Sequence, residues 1–144
     1  MAWLDHDWDL QDSVEITTAT TTNGTNVVNM GAAVSLGAGD DVYITIELGA
    51  YIGDTGDEKL DCRLYGAASE DMSTTKILVG STGAVIPGDA TASTMSFRPR
   101  AVTAKQWYRM EFVTTGTWAG SDTITIVGVH LGRTEQTSMR LPSA

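Results

Sequence analysis

Residues 42–48 read Val42-Tyr43-Ile44-Thr45-Ile46-Glu47-Leu48, with apolar side chains at every second position. Successive side chains on a strand point to opposite faces, so this alternation puts Val42, Ile44, Ile46 and Leu48 on one buried face. The same rhythm recurs on either side. Leu60, Cys62 and Leu64 alternate with Asp61, Arg63 and Tyr65, and Tyr108, Met110 and Phe112 alternate with Trp107, Arg109 and Glu111. Nowhere do apolar residues keep the three-and-four spacing of an amphipathic helix, so the fold class is all-β.

Five further strands complete the pattern: residues 14–18, 26–30, 76–80, 93–98 and 123–131. In the last of these, Ile124 and Ile126 set one phase and Val127, Val129 and Leu131 another, with Gly128 at the change marking a bulge or bend. Turn residues separate the strands, at Gly37-Ala38-Gly39-Asp40-Asp41, residues 53–57, residues 80–83, Gly88-Asp89 and residues 115–122. The Thr-rich stretch 17–25 reads as a strand end followed by a turn at Asn23-Gly24, and residues 69–73 can form one short helical turn. Eight short strands at this spacing predict a two-sheet antiparallel sandwich, an eight-stranded jelly-roll being the preferred topology. The sequence divides into an N-terminal arm (1–12), a β-sandwich domain (13–133) and a C-terminal tail (134–144).

The chain has 144 residues, 42% of them hydrophobic, and this size supports one packed core. Threonine is the most frequent residue, at 21, which suits a pleated, half-buried surface. No apolar run approaches the ~20 residues of a membrane-spanning helix. The acidic opening Met1-Ala2-Trp3-Leu4-Asp5-His6-Asp7-Trp8-Asp9 has neither the basic nor the apolar region of a secretory signal. Cys62 is the single cysteine, so no intrachain disulfide is expected. The net charge of −9 disfavours nucleic acid as a partner. Residues 1–71 carry −12 and residues 72–144 carry +3. That asymmetry makes a dipolar monomer if the halves form separate faces, and cancels if their strands interleave.

Motifs for chemistry are sparse. Asp54-Thr55-Gly56 matches the short signature of aspartic proteases, which need two such aspartates and hence a homodimer. A polar hairpin turn explains the same letters. Asp54, Asp57, Glu58 and Asp61, or Asp40 with Asp41, could offer oxygen ligands to calcium, but their spacing is not that of the twelve-residue calcium loop. Asp5-His6-Asp7 has no second His or Cys nearby to close a metal site. His130 reads as structural, and Cys62, between Leu60 and Leu64, as a small buried apolar residue. Ser35 lacks the first glycine and the following helix of a nucleophile elbow, and Gly37-Ala38-Gly39 lacks the lysine of a phosphate loop. Asn23-Gly24-Thr25 fits a glycosylation sequon that a chain without a secretory signal would not use. No catalytic residue, cofactor or metal is assigned. Trp3, Leu4 and Trp8 in the acidic arm are either a lid over the domain's own core or an anchor on a partner. Arg98 and Arg100, with Trp107 and Arg109, place cations beside aromatics, to stack on each other or on a partner surface.

Three stretches resemble one family. They are Leu64-Tyr65-Gly66-Ala67-Ala68-Ser69-Glu70-Asp71-Met72-Ser73-Thr74-Thr75-Lys76-Ile77-Leu78; the loop from Arg98-Pro99 to the strand Gln106-Trp107-Tyr108-Arg109-Met110-Glu111-Phe112; and Thr123-Ile124-Thr125-Ile126-Val127 after Gly116 and Gly120. Over most of residues 10–131 the strand rhythm is similar to that of the jelly-roll cement, or decoration, proteins of podovirus-type bacteriophage capsids. The resemblance implies a non-enzymatic structural virion protein, made in the host cytoplasm. It would sit on the capsid exterior as a homodimer or homotrimer and bridge neighbouring major capsid protein subunits, with neither nucleic acid nor membrane as partner. Trp3, Leu4, Trp8, Arg98, Arg100, Trp107 and Arg109 are then the expected capsid or subunit contacts. The alternatives are a carbohydrate- or receptor-binding sandwich of a phage tail or fibre and, from the enzyme class, a dimeric protease through Asp54.

Overall fold

The computed structural model describes residues 9–36, 42–52, 57–73, 76–85, 94–100, 103–132 and 139–140. These residues form eleven strands: β1 (Asp9–Gln11), β2 (Val14–Ile16), β3 (Thr21–Asn23), β4 (Val28–Val34), β5 (Tyr43–Ile52), β6 (Lys59–Ala67), β7 (Ile77–Ser81), β8 (Thr94–Phe97), β9 (Lys105–Thr115), β10 (Thr123–Gly132) and β11 (Met139–Arg140). One sheet runs β1-β10-β5-β8-β11, with β2 following β1 along the same edge of β10. The other runs β3-β9-β6-β7, with β4 following β3 along β9. We call them the first and second sheet.

Counting β1/β2 and β3/β4 as one position each gives eight positions in chain order. The first sheet then reads 1-8-3-6 and the second 2-7-4-5. Positions 1 and 8, 2 and 7, 3 and 6, and 4 and 5 are antiparallel partners, as when one long hairpin is rolled into two facing sheets. That is the jelly-roll, an all-β sandwich as expected. β11 is added outside it, parallel to β8. Because both sheets draw strands from both halves of the chain, the charge asymmetry of the sequence does not become two opposed faces.

The alternating positions form the core: Ile44 and Ile46, Leu60, Cys62 and Leu64, and Tyr108, Met110 and Phe112 are all buried. The phase change in β10 is a bulge. Ile126 lies opposite Leu48 while Gly128 lies opposite Glu47, so two β10 steps match one on β5. Val127 sits in that bulge and points outward, 47% exposed, so the inward phase resumes only at Val129.

Two expectations are corrected. Residues 69–73 form a β-turn rather than a helical turn, closed by the Met72 amide on the Ser69 carbonyl at 3.1 Å. Asn23-Gly24 does not turn the chain away. The Gly24 amide donates to the Met110 carbonyl at 2.7 Å, and a Cβ there would stand 2.9 Å from that same oxygen, so glycine lets the edge stay on β9. Within residues 1–12, Asp9–Gln11 form β1 of the first sheet, and Leu10 is fully buried in the core.

Candidate functional site

Since Tyr108, Met110 and Phe112 point inward, Trp107, Arg109 and Glu111 line the outward face of the second sheet. The same parity on β6 turns Asp61, Arg63, Tyr65 and Ala67 outward. Register then places Arg63 opposite Glu111, Tyr65 opposite Arg109, and the small Ala67 opposite Trp107. Opposite charges and cation–aromatic neighbours directly across two strands are favourable pairs, so the sheet itself holds this patch in place.

Glu111 is its hinge point. Although it faces outward it is only 5% exposed, because Lys76 and Arg109 both close on Oε2, Arg109 at 3.3 Å. The Lys76 ammonium also lies 4.7 Å above the Tyr65 ring. Arg63 Nε donates to Asp61 Oδ2 at 2.9 Å, and its hydrogen bonds to Asp61 and then Tyr65 hold the guanidinium even more firmly protonated than usual. Arg63, Lys76 and Arg109 face Asp61 and Glu111, a local excess of one positive charge on a chain of net −9. Two atoms in the patch, Arg109 Nε and Asp61 Oδ1, are buried without a hydrogen-bond partner. At its border Asn29 lies opposite the half-buried Trp107 in register, and Gln106 donates to Asn29 Oδ1 at 3.0 Å.

The expected contact residues therefore divide. Trp107 and Arg109 share the outward face. Arg98 and Arg100 do not reach it. The Arg98 guanidinium lies 5.6 Å from the Tyr43 ring of the first sheet, while Arg100 bonds the β7 backbone, its amide to the Val79 carbonyl at 2.8 Å and its Nη2 to the Leu78 carbonyl at 3.3 Å. Stacking of these arginines on Trp107 is thus replaced by stacking on Tyr43 and by capping of a sheet edge. Trp3, Leu4 and Trp8 lie outside the described residues, as do Asp54, Asp40, Asp41 and the Asp5-His6-Asp7 cluster.

The remaining acidic residues near Asp54 are engaged separately. Asp57 accepts from the Thr117 amide and hydroxyl at 3.2 and 3.1 Å, and the buried Glu58 accepts from the Tyr51 hydroxyl at 2.9 Å. Among the described residues no three His, Cys, Asp or Glu side chains gather around one point as a metal site requires. Cys62 is buried, as expected. Burial first, and the neighbouring Asp61 carboxylate second, push its thiol far above the ordinary range, so it is no nucleophile. His130 faces outward on β10 opposite Thr45, and Ser35 follows β4 next to the buried Leu36. Sequence reading missed the patch residues Arg63, Tyr65, Lys76 and Glu111, because register brings the first two opposite β9 and the link from Lys76 to Glu111 spans 35 residues.

No family model matches the chain, and no curated protein matches it. Among solved structures it is similar to a chain of "Structure of infectious bursal disease virus Gt strain", at 12% identity and a TM-score of 0.34. That match covers 88% of this chain but spans only 33% of the other, and a superposition so loose carries no argument about function.

Proposed function

We propose that this chain is a structural virion protein without enzymatic activity. It binds the exterior of a phage capsid and cements neighbouring major capsid protein subunits. The observation that supports this reading is the outward patch of the second sheet. There an aromatic, Trp107, and a cation, Arg109, stand on two paired strands in a patch whose ion-paired side chains leave one positive charge in excess, on a chain of net −9. Aromatic and arginine side chains dominate protein–protein contact energies, and a mixed-charge rim fixes register. Repetition over many equivalent capsid positions multiplies modest contacts, and binding only the assembled shell stabilises it by mass action.

Copy number on purified particles from the source tests the proposal. Hundreds of copies, together with loss of shell binding in Trp107→Ala and Arg109→Ala, support it; absence from particles overturns it. One observation favours a second reading, a carbohydrate-binding sandwich of a tail or fibre: Asn29, opposite Trp107 in register, brings an amide of the kind that bonds sugar hydroxyls next to an aromatic. A low copy number with a positive glycan array would select that reading.

A further inference from the structure

A sheet edge exposes unpaired main-chain donors and acceptors, and folds guard such edges with charge, proline or cover. Among the described residues, charge, cover or an added strand stands at three places along the sheet borders. β1/β2 carries the exposed acids Asp9, Asp12 and Glu15. The outer side of β8 is covered by β11, and that of β7 is bonded by Arg100. The β3 border differs: it lies inside residues 17–39, a run of 23 residues without one charged side chain or proline. Ala19, Thr20, Thr21 and Asn23 are exposed along it.

Its free bonding groups can be identified. The Thr114 amide donates to the Thr20 carbonyl at 2.9 Å and the Gly24 amide to the Met110 carbonyl at 2.7 Å, so even-numbered backbone groups face β9. In an antiparallel ladder the direction alternates by residue, so the N–H and C=O of Thr21 and Asn23 point away from the sheet. Beyond Asn29 the edge is broken, because five steps on β4 to Val34 match two on β9. The usable template is therefore short and centred on Thr22.

We propose that a second copy of this chain pairs on this edge, β3 against β3 and antiparallel, about a two-fold axis at Thr22. Thr21 then lies opposite Asn23 of the partner subunit, and the two exchange main-chain hydrogen bonds twice over. Main-chain pairing about a two-fold is self-complementary and needs no matching side-chain surface. Charge selects the place: two chains of net −9 repel, and the neutral β3 edge is where they approach at least cost. The pairing joins the two second sheets into one. It also sets the two Trp107–Arg109 patches on a common face, which deepens the capsid-binding reading without depending on it.

The test is the mass of the isolated full-length chain by sedimentation over a concentration series, with no capsid present. A dimer is expected. Thr21→Lys with Asn23→Lys puts like charges opposite each other in both symmetric pairs and should weaken the dimer about tenfold; Thr21→Lys with Asn23→Glu makes both pairs opposite in sign and should restore it. Hydrogen exchange on the unmodified chain gives an independent readout, with the Thr21 and Asn23 amides gaining protection as concentration rises. A monomer at every concentration, or a dimer that neither pair of substitutions moves and whose Thr21 and Asn23 amides exchange freely, overturns the proposal. Either result leaves the capsid-binding test unaffected.

Discussion

The Tyr108 hydroxyl donates to the Val34 carbonyl, joining the buried middle of β9 to the end of β4 across 74 residues of sequence. Beyond Asn29 the two strands are out of register, so this side chain supplies a tie where the ladder fails. Tyr108→Phe keeps the ring and removes the donor, leaving the Val34 carbonyl without it. The expected cost is ~1–2 kcal/mol in urea unfolding, against ~3–5 kcal/mol for Tyr108→Ala, which also opens a cavity. Burial raises the Tyr108 pKa above that of an unfolded tyrosine. Its contribution is thus complete below about pH 10 and is lost as pH rises through the folded value.

Gly116 has φ +99°, and a Cβ there would come within 2.3 Å of the Asp57 carbonyl oxygen. Only glycine meets both demands. The turn it makes delivers Thr117 to the Asp57 carboxylate. Gly116→Ala should lower stability by ~2 kcal/mol or more, from the left-handed backbone and the forced shift of the 57–58 segment together. Gly83, with φ +72° but nothing near its Cβ position, is the control. Gly83→Ala should cost only the backbone share, ~1 kcal/mol, in the same melts.

Cys62 sits fully buried between the two sheets, its amide bonded to the Thr82 hydroxyl at 3.1 Å. With the thiol held protonated and out of solvent, alkylation of the native protein at pH 8 should be slower than that of the denatured chain by about the unfolding equilibrium constant. Rapid native labelling, read by intact mass, would show that the second sheet opens far more readily than its packing implies.

The fold was legible because its signals are local. The period of two over residues 42–48, 60–65 and 107–112 marks three central strands, and the misfit around Gly128 marks the bulge. β1 and β3 escaped notice for physical reasons. Asp9-Leu10-Gln11 has one apolar residue, too few for a period, and Thr21-Thr22-Asn23 is polar throughout because it is an edge. Site chemistry was less legible, since its partners are set by register. Arg109 beside Trp107 reads as a cation–aromatic pair, yet the fold gives its guanidinium to Glu111, two residues along the strand, and brings Lys76 in from another strand's end. Arg98 likewise meets Tyr43 only because β5 and β8 are neighbours.

Asp71 is fully exposed, yet hydrogen bonds from Ser73 and then Ser69 hold its carboxyl at about 2, below the usual 3.8. A depressed acid stabilises the fold above its unfolded pKa and loses that contribution as pH falls through the folded value. The Ser69–Met72 turn should therefore keep its hydrogen bonds down to about pH 4 and lose them between there and about pH 2. An NMR titration of the Ser73 amide reads this directly. A midpoint near the ordinary aspartate value would mean that the turn does not hold the carboxylate.

Glu111 and Lys76 form one ion pair but should behave unequally on removal. The Lys76 side chain is 38% exposed and can hydrate when its partner is lost, while the Glu111 side chain is 7% exposed and cannot. Lys76→Met leaves Glu111 with Arg109 as its remaining charge, so the expected cost is about 1 kcal/mol or less. Glu111→Gln instead strands two cations on one face. Arg109, 15% exposed with Nε already unpartnered, is the one that suffers, and the expected cost is about 2 kcal/mol. Adding Arg109→Met to Glu111→Gln removes the stranded cation and should recover part of that loss, a non-additivity readable in a double-mutant cycle of urea midpoints. Equal costs for Lys76→Met and Glu111→Gln, with additive behaviour, would mean that the patch is an ordinary hydrated surface and that its burial counts for nothing in the energetics.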